Sequence, residues 1–408
     1  MKNKTKTRSR SNQRTIILSL SLISILMAAA FCVMSPISAS TEGKTASVTG
    51  AFGTNPIHST LPWATTQARS TSSSAAVGEV LVNQFGDAGD GICDSTCTLR
   101  DAVDWLTISG GGTITFAPIF TPANPIVLNN TLPLGGGVDI EGYGANEVVI
   151  QGAEGVRVLN VNTGPNAGDV RISGVTITGG SSVARFGGGG AILVGGGSLT
   201  LDSVHILDNG HYFGGFDDPQ GSGGGVVYNG GTNHRILNST FSGNQGFDCG
   251  GIQLNVGTLS IANSTIANNS TNEFVPGRGG GICLSGGDLS LRNVTISGNR
   301  AHYGAGIEQV GGTVDMGNSI LAGNTAVDMN PPEIDLQGGS FTSAGNNLVG
   351  DSEEDAFNTN IPVSYQWATD ILDTPPMLGS LQNNGGTTPT MALLAGSPAI
   401  NGGDNFKA

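Results

Sequence analysis

The sequence predicts an all-β chain: a right-handed parallel β-helix, a solenoid with three short strands per coil and a short N-terminal helical cap. Three observations carry that expectation. A glycine-opened repeat of uneven length recurs through the middle of the chain, apolar and polar residues alternate with period two inside each repeat, and asparagines recur at fixed offsets.

Residues 1–40 read as an export signal. Lys2, Lys4, Lys6, Arg8, Arg10 and Arg14 make a basic region, Ile16 to Val33 is nearly all apolar, and Ile37-Ser38-Ala39 offers a cleavage site. An uncleaved membrane anchor is the rival reading, since the apolar run is about long enough to span a bilayer. Phe31 ahead of Cys32 argues against lipidation, because a small residue is needed there. The expected location is therefore extracellular or at the cell surface and envelope. The chain holds 17 Lys+Arg and 31 Asp+Glu. Six of the bases and none of the acids lie in residues 1–40, which leaves 11 basic against 31 acidic residues and a net charge of −20. Such a surface repels nucleic acid and anionic membrane, so membrane contact is expected only through the export signal or an anchor elsewhere. With 66 glycines and only 12 % charged residues, many short strands and tight turns are expected.

Residues 41–78, which include TTQARSTSSSAA, read as a Ser/Thr-rich linker. Residues 79–125 read as a cap. Cys93 and Cys97 are close enough in sequence to bridge in an oxidising compartment. Leu99, Ala102, Val103 and Leu106 then have helical spacing, and Thr113 to Phe116 alternates like a strand.

Residues 126–350 form the repeats. The openers GGAILV, GGVVYN, GGIQLN, GGICLS and AGIEQV place Ala191, Val226, Ile252, Ile282 and Ile307 in one column. A second column pairs Leu199/Leu201, His234/Ile236, Leu259/Ile261, Leu289/Leu291 and Val314/Met316; a third holds Ile177, Ile206, Phe241, Ile266, Ile296 and Leu321. No repeat can bury its apolar face alone, but stacked coils turn each column into an inward ladder on a parallel sheet. Parallel crossovers are almost always right-handed, which sets the expected hand. Asn209, Asn244, Asn269, Asn299 and Asn324 fall three residues after the third column and predict a stacked amide ladder at a corner, with left-handed backbone tolerated there. A second series, Asn238, Asn263, Asn293 and Asn318, precedes the same strand.

At this point the motifs resemble a known group. GDGICDSTCTLRDAV is similar to the CSLREA motif near the N-terminus of exported bacterial β-helix proteins, with Thr98 and Asp101 at its Ser and Glu positions. The repeats resemble those of polymorphic outer-membrane proteins and pectin-lyase-like folds. SAGNNLVGD, with Asn346 and Asn347, and LQNNGGTTPTMALLAGSPAINGGD within residues 351–408 resemble the end of the choice-of-anchor Q family. Relatives often carry a His and an Asp where this chain has Met391-Ala392 and Asn401-Gly402, so no role for those groups is carried over. No sorting motif or apolar tail follows, which fits free secretion as well as a chain that continues elsewhere.

Loop length varies mainly between the asparagine ladder and the next opener, the mark of a solenoid's binding face. There Tyr212, Phe213, Phe216, Phe274 and Tyr303 gather with Asp217, Asp218 and Arg278, a mixture suited to sugar rings and hydroxyls. The competing reading is that the rings only pin the loops to the barrel. Asp217-Asp218 is a conceivable calcium site, though a solvated turn is favoured, and no cofactor is expected. His211 and His302 read as solvated. The outward residues of the second column, Thr200, Arg235, Ser260, Ser290 and Asp315, form no acid cluster. Recognition of a polysaccharide or a surface protein without catalysis is therefore expected. A polysaccharide lyase or glycoside hydrolase is the alternative, and a passive structural surface protein a second. Cys249 and Cys283 lie about four residues apart along an extended coil, roughly 13 Å, so no bridge between them is expected.

Overall fold

A computed structural model describes residues 78–162, 168–181, 188–210, 223–272, 277–327, 332–351, 363–364 and 368–405. The expected export signal and nearly all of the linker lie outside the described residues.

Three long parallel sheets run through the molecule. An 11-stranded sheet extends from Glu79–Val82 to Val363–Ser364, a 10-stranded sheet from Ile126–Leu128 to Ile371–Leu372, and an 8-stranded sheet from Leu132–Leu134 to Ile334–Leu336. Each strand pairs in parallel with the strands one coil before and after it, which defines a parallel β-solenoid. The inward ladders are the expected ones: Ile206 pairs with Ile177 and Phe241, Ile266 with Phe241 and Ile296, and Ile296 with Leu321. In the 11-stranded sheet His234 and Ile236 face Leu259 and Ile261, which face Leu289 and Leu291. These inward side chains are almost completely buried. Each contributes about 1.5–3 kcal/mol relative to exposure, so the ladders supply the main drive for stacking.

The opener column differs by one residue at its first member. Ile192, not Ala191, faces Val226, which then pairs with Ile252, Ile282 and Ile307 in turn. The glycines ahead of Ala191 offer no side-chain landmark for the register. Ala191 is still buried, one position before the strand. Four coils also carry a fourth short strand, at Gln245–Gly246, Ser270–Thr271, Arg300–Ala301 and Thr325–Ala326, just after the ladder asparagine.

The two asparagine series divide the corner work differently from the expectation. Asn238, Asn263, Asn293 and Asn318 hold left-handed backbone, with φ between 50° and 55°. The ladder asparagines do not; the residue ahead of each does, as at Asp208, Gly243, Asn268, Gly298 and Gly323. A left-handed residue there turns the chain so that the next side chain points inward. The ladder amides then stack, each Nδ2 donating to the Oδ1 of the next coil: Asn209 to Asn244 at 2.9 Å, Asn244 to Asn269 at 2.8 Å, Asn269 to Asn299 at 2.9 Å and Asn299 to Asn324 at 2.9 Å.

Parallel pairing begins ahead of residue 126, because Glu79–Val82 and Gly112–Phe116 belong to the 11-stranded sheet. Between them the helix Leu99–Ser109 buries Leu99, Ala102, Val103 and Leu106 over the end of the solenoid. Thr98 is its N-cap: its hydroxyl accepts from the Asp101 amide, and the Asp101 carboxylate accepts from the Thr98 amide, a reciprocal capping box. Cys93 and Cys97 are bridged, with Cα atoms 4.6 Å apart. Beyond Leu372 the chain forms an antiparallel hairpin, Leu378–Gln382 with Thr390–Leu393, that turns back along the solenoid.

Candidate binding site

The corner between the 10-stranded and 8-stranded sheets gathers the uneven loops. Tyr212, Phe213, Phe216, Asp217, Asp218 and Phe274 lie outside the described residues, as do His211 and the conceivable calcium pair. The stems are described, and they stack in register like the strands. Arg278 and Tyr303 are parallel partners in neighbouring coils. The Arg278 amide donates to the Asp248 carbonyl at 3.0 Å, and the Gly279 amide to the Tyr303 carbonyl at 3.0 Å.

Of the expected site residues, Arg278 and Tyr303 are thus brought together. The guanidinium carbon of Arg278 lies 5.1 Å from the Tyr303 ring centroid, within cation–π range. Its Nη1 donates to Glu308 Oε1 at 3.0 Å, while 42 % of the side chain remains exposed. Glu308 and Asp335 are adjacent outward residues of the 8-stranded sheet, 4 % and 0 % exposed. Burial raises the pKa of the Glu308 carboxyl, an effect that the bond from Arg278 only partly offsets. Burial likewise raises that of Asp248, against the pull of Arg278. For Arg278 itself burial works against the charge, but the bond to Glu308 and the nearby acids outweigh it and the pKa moves up. His302 is half-buried beside Tyr303.

The expectation for Cys249 and Cys283 is corrected: they form a disulfide, with Cα atoms 5.9 Å apart. The chain ahead of the opener is not extended. Gly279, at φ +61°, folds the backbone back over the outer face, so that a Cβ there would press on Cys283 Sγ. Stacking places Cys249 directly above this turn, since the Gly250 amide donates to the Gly279 carbonyl at 3.1 Å. The outward thiol of Cys283 therefore meets Cys249 from the coil before.

Glu308 and Asp335 escaped the sequence reading, which sought acids on the outward face of the second column. Their signal is an acid just after the inward isoleucine in two successive openers, Ile307-Glu308 and Ile334-Asp335, where earlier coils carry Leu193, Val227, Gln253 and Cys283. Among the described residues no group of three or more His, Cys, Asp or Glu side chains is placed to hold a metal ion.

The register and the sheet order define this chain as a parallel β-solenoid. No protein-family model matches it, and no curated protein does. Among solved structures it is similar to the Dettilon tailspike protein, at 15 % identity over 70 % of this chain and 68 % of that chain, with a TM-score of 0.34. The assignment of the fold rests on the pairing within this chain.

Proposed function

We propose that this chain is an exported β-solenoid that recognises a polysaccharide or a surface protein, without catalysis, through the loops at the corner that carries Arg278 and Tyr303. The observation that carries the reading is the pose of Arg278. Its guanidinium is held from below by Glu308 and from the side by the Tyr303 ring, yet its outer edge is free to meet solvent. A donor group fixed in advance loses little freedom on binding, so its hydrogen bonds count toward affinity. Tyr212, Phe213, Phe216 and Phe274 on the adjoining loops would add ring faces, and Asp217 and Asp218 acceptors. The basic and apolar residues 1–40 and two bridged cysteine pairs support export, and the CSLREA-like and choice-of-anchor-like motifs agree with it. Glu308 and Asp335 are engaged and covered, which favours binding over hydrolysis at this corner.

The test is a glycan-array and polysaccharide pull-down comparison of the native protein with Arg278→Ala and with the triple change Tyr212→Ala, Phe216→Ala and Phe274→Ala. Loss of capture in both supports the corner as the site. Unaltered capture removes it from the role, and unsaturated or new reducing-end products from any polymer would establish the lyase or hydrolase alternative instead.

A further inference from the structure

The C-terminal segment uses one corner of the solenoid as a track. Asn318 and Asp404 exchange two hydrogen bonds, Nδ2 to carbonyl at 2.8 Å and amide to Oδ1 at 2.9 Å, and Asn346 Nδ2 donates to the Gly402 carbonyl at 3.0 Å. At the hairpin end Thr388 Oγ1 donates to the Asn238 carbonyl at 3.0 Å, and Thr240 Oγ1 to the Pro389 carbonyl at 2.6 Å. These contacts follow the column of left-handed corner residues. The column continues past the hairpin tip to Ser203 and Gly174, at φ 57° and 61°. There the track is open: a groove of about 480 Å³ lies between Thr387 of the tip and the corners of the earlier coils.

The groove is furnished with groups held in place. Tyr143 is 47 % exposed and lines the groove, and its hydroxyl donates to the Phe120 carbonyl at 2.7 Å, which anchors the ring by its far end. Arg171 Nη2 donates to Asp202 Oδ2 at 2.7 Å, and Asp202 Oδ1 accepts from Asn238 Nδ2 at 3.0 Å and Ser203 Oγ at 3.1 Å. Glu141 and Glu147 stand exposed at the rim. We infer that this open end of the track is a binding site for a neutral oligosaccharide, separate from the loop corner. An anchored phenol ring suits the apolar face of a pyranose, and carboxylates beside a guanidinium suit its hydroxyls. Rim acids in excess of the single cation disfavour anionic glycans and phosphates. The ion pair at the floor is already neutral, and the two rim carboxylates alone would draw a basic peptide, so octalysine is the competitor that the titration must separate from sugar. Three coil corners at ~4.8 Å spacing give a length of about 10 Å, enough for a short run of sugar units.

The test is calorimetric titration of the exported protein carrying the triple loop change (Tyr212→Ala, Phe216→Ala, Phe274→Ala) with cellohexaose, xylohexaose and maltohexaose, so that the loop corner is already disabled. At least one hexasaccharide is expected to bind. Adding Tyr143→Ala should weaken it by roughly tenfold or more, Tyr143→Phe by less than about twofold, and Thr387→Trp, which fills the groove from an exposed tip, by roughly tenfold. Thr387→Trp serves as the decisive variant if Tyr143→Ala fails to fold. The inference is overturned if none of the three binds, if octalysine binds in their place, or if Thr387→Trp binds as the parent does. Sugar binding by the unaltered protein that the triple loop change abolishes also overturns it, while leaving the loop-corner reading standing.

Discussion

Asn269 shows what one residue contributes to this architecture. Its side chain donates to the Phe241 carbonyl at 3.0 Å and to Asn299, and it accepts from the amide and the Nδ2 of Asn244 at 3.1 and 2.8 Å, all in a fully buried corner. Asn269→Ala leaves several of these groups unsatisfied and should lower stability by about 2–4 kcal/mol, read as a drop in the urea midpoint without a change in slope. The ladder ends on Glu333, whose Oε2 accepts from Asn324 Nδ2 at 2.6 Å and whose Oε1 accepts from the Gly323 amide at 2.8 Å. Burial pushes its carboxyl from 4.5 up to about 7, although both hydrogen bonds pull the other way. The folded state therefore binds this proton more tightly than the unfolded chain, so the contribution is full below pH 4.5 and is lost as pH rises to about 7. His205 acts in the opposite sense. Burial drops it from 6.5 to about 4, so its contribution is full above 6.5 and is lost as pH falls toward 4. Comparing urea midpoints of the native protein and Glu333→Gln from about pH 5 to about pH 8 should show the native protein's advantage shrinking as pH rises. A flat difference would remove Glu333 from this role.

At the scale of single elements, the helix Leu99–Ser109 was readable from the apolar spacing of Leu99, Ala102, Val103 and Leu106 just after a pair of cysteines. The structure adds the Thr98–Asp101 capping box and the bridge between Cys93 and Cys97 ahead of it. Arg100 then ties the helix to the first coils, donating to Asp87 at 2.8 Å and to the Asn130 carbonyl at 2.7 Å, while the other Asp87 oxygen accepts from the amides of Asn129 and Asn130. Thr98→Ala should cost about 1 kcal/mol, measured by thermal or urea unfolding. The loop corner was only half readable. Its uneven lengths and its aromatic and charged content are sequence properties, but the reversal at Gly279 is a backbone conformation that an extended-strand estimate cannot supply. That reversal brings Cys249 to Cys283 across 34 residues. Replacing both cysteines by Ser should lower stability by about 3–4 kcal/mol on the chain-entropy account, with the loss largest in the opener turns by hydrogen exchange.

Across the whole molecule, each coil touches mainly its neighbours, so stability accumulates along one dimension. The C-terminal segment breaks that rule. Thr388 and Asn238 meet across 150 residues, and the same segment reaches Asn318 and Asn346. It acts as a strap over the left-handed corner of several coils, in addition to the strand pairing, the asparagine ladder and the Cys249–Cys283 bridge that join neighbouring coils. Truncation after Leu372 should leave the far-ultraviolet β signal in place, because the three sheets do not depend on the hairpin. Hydrogen exchange should quicken selectively at the corner around Asn238, Asn318 and Asn346, and unfolding should become less cooperative. Uniform loss of protection throughout the sheets would contradict the strap role.

The residues by themselves determined the solenoid, its three inward columns and the asparagine ladder, because burial on one face of stacked strands demands a period-two pattern and an equivalent residue in every coil. They also marked the cap and the corner where loops vary. Only the tertiary structure decided which asparagines carry left-handed backbone, that Cys249 meets Cys283, that Arg278 rests on Glu308 and Tyr303, and that the hairpin returns along the corner between the 11-stranded and 10-stranded sheets. Those outcomes depend on the backbone conformation at particular residues and on contacts between residues far apart in the chain, which a recurring pattern of residue types does not specify.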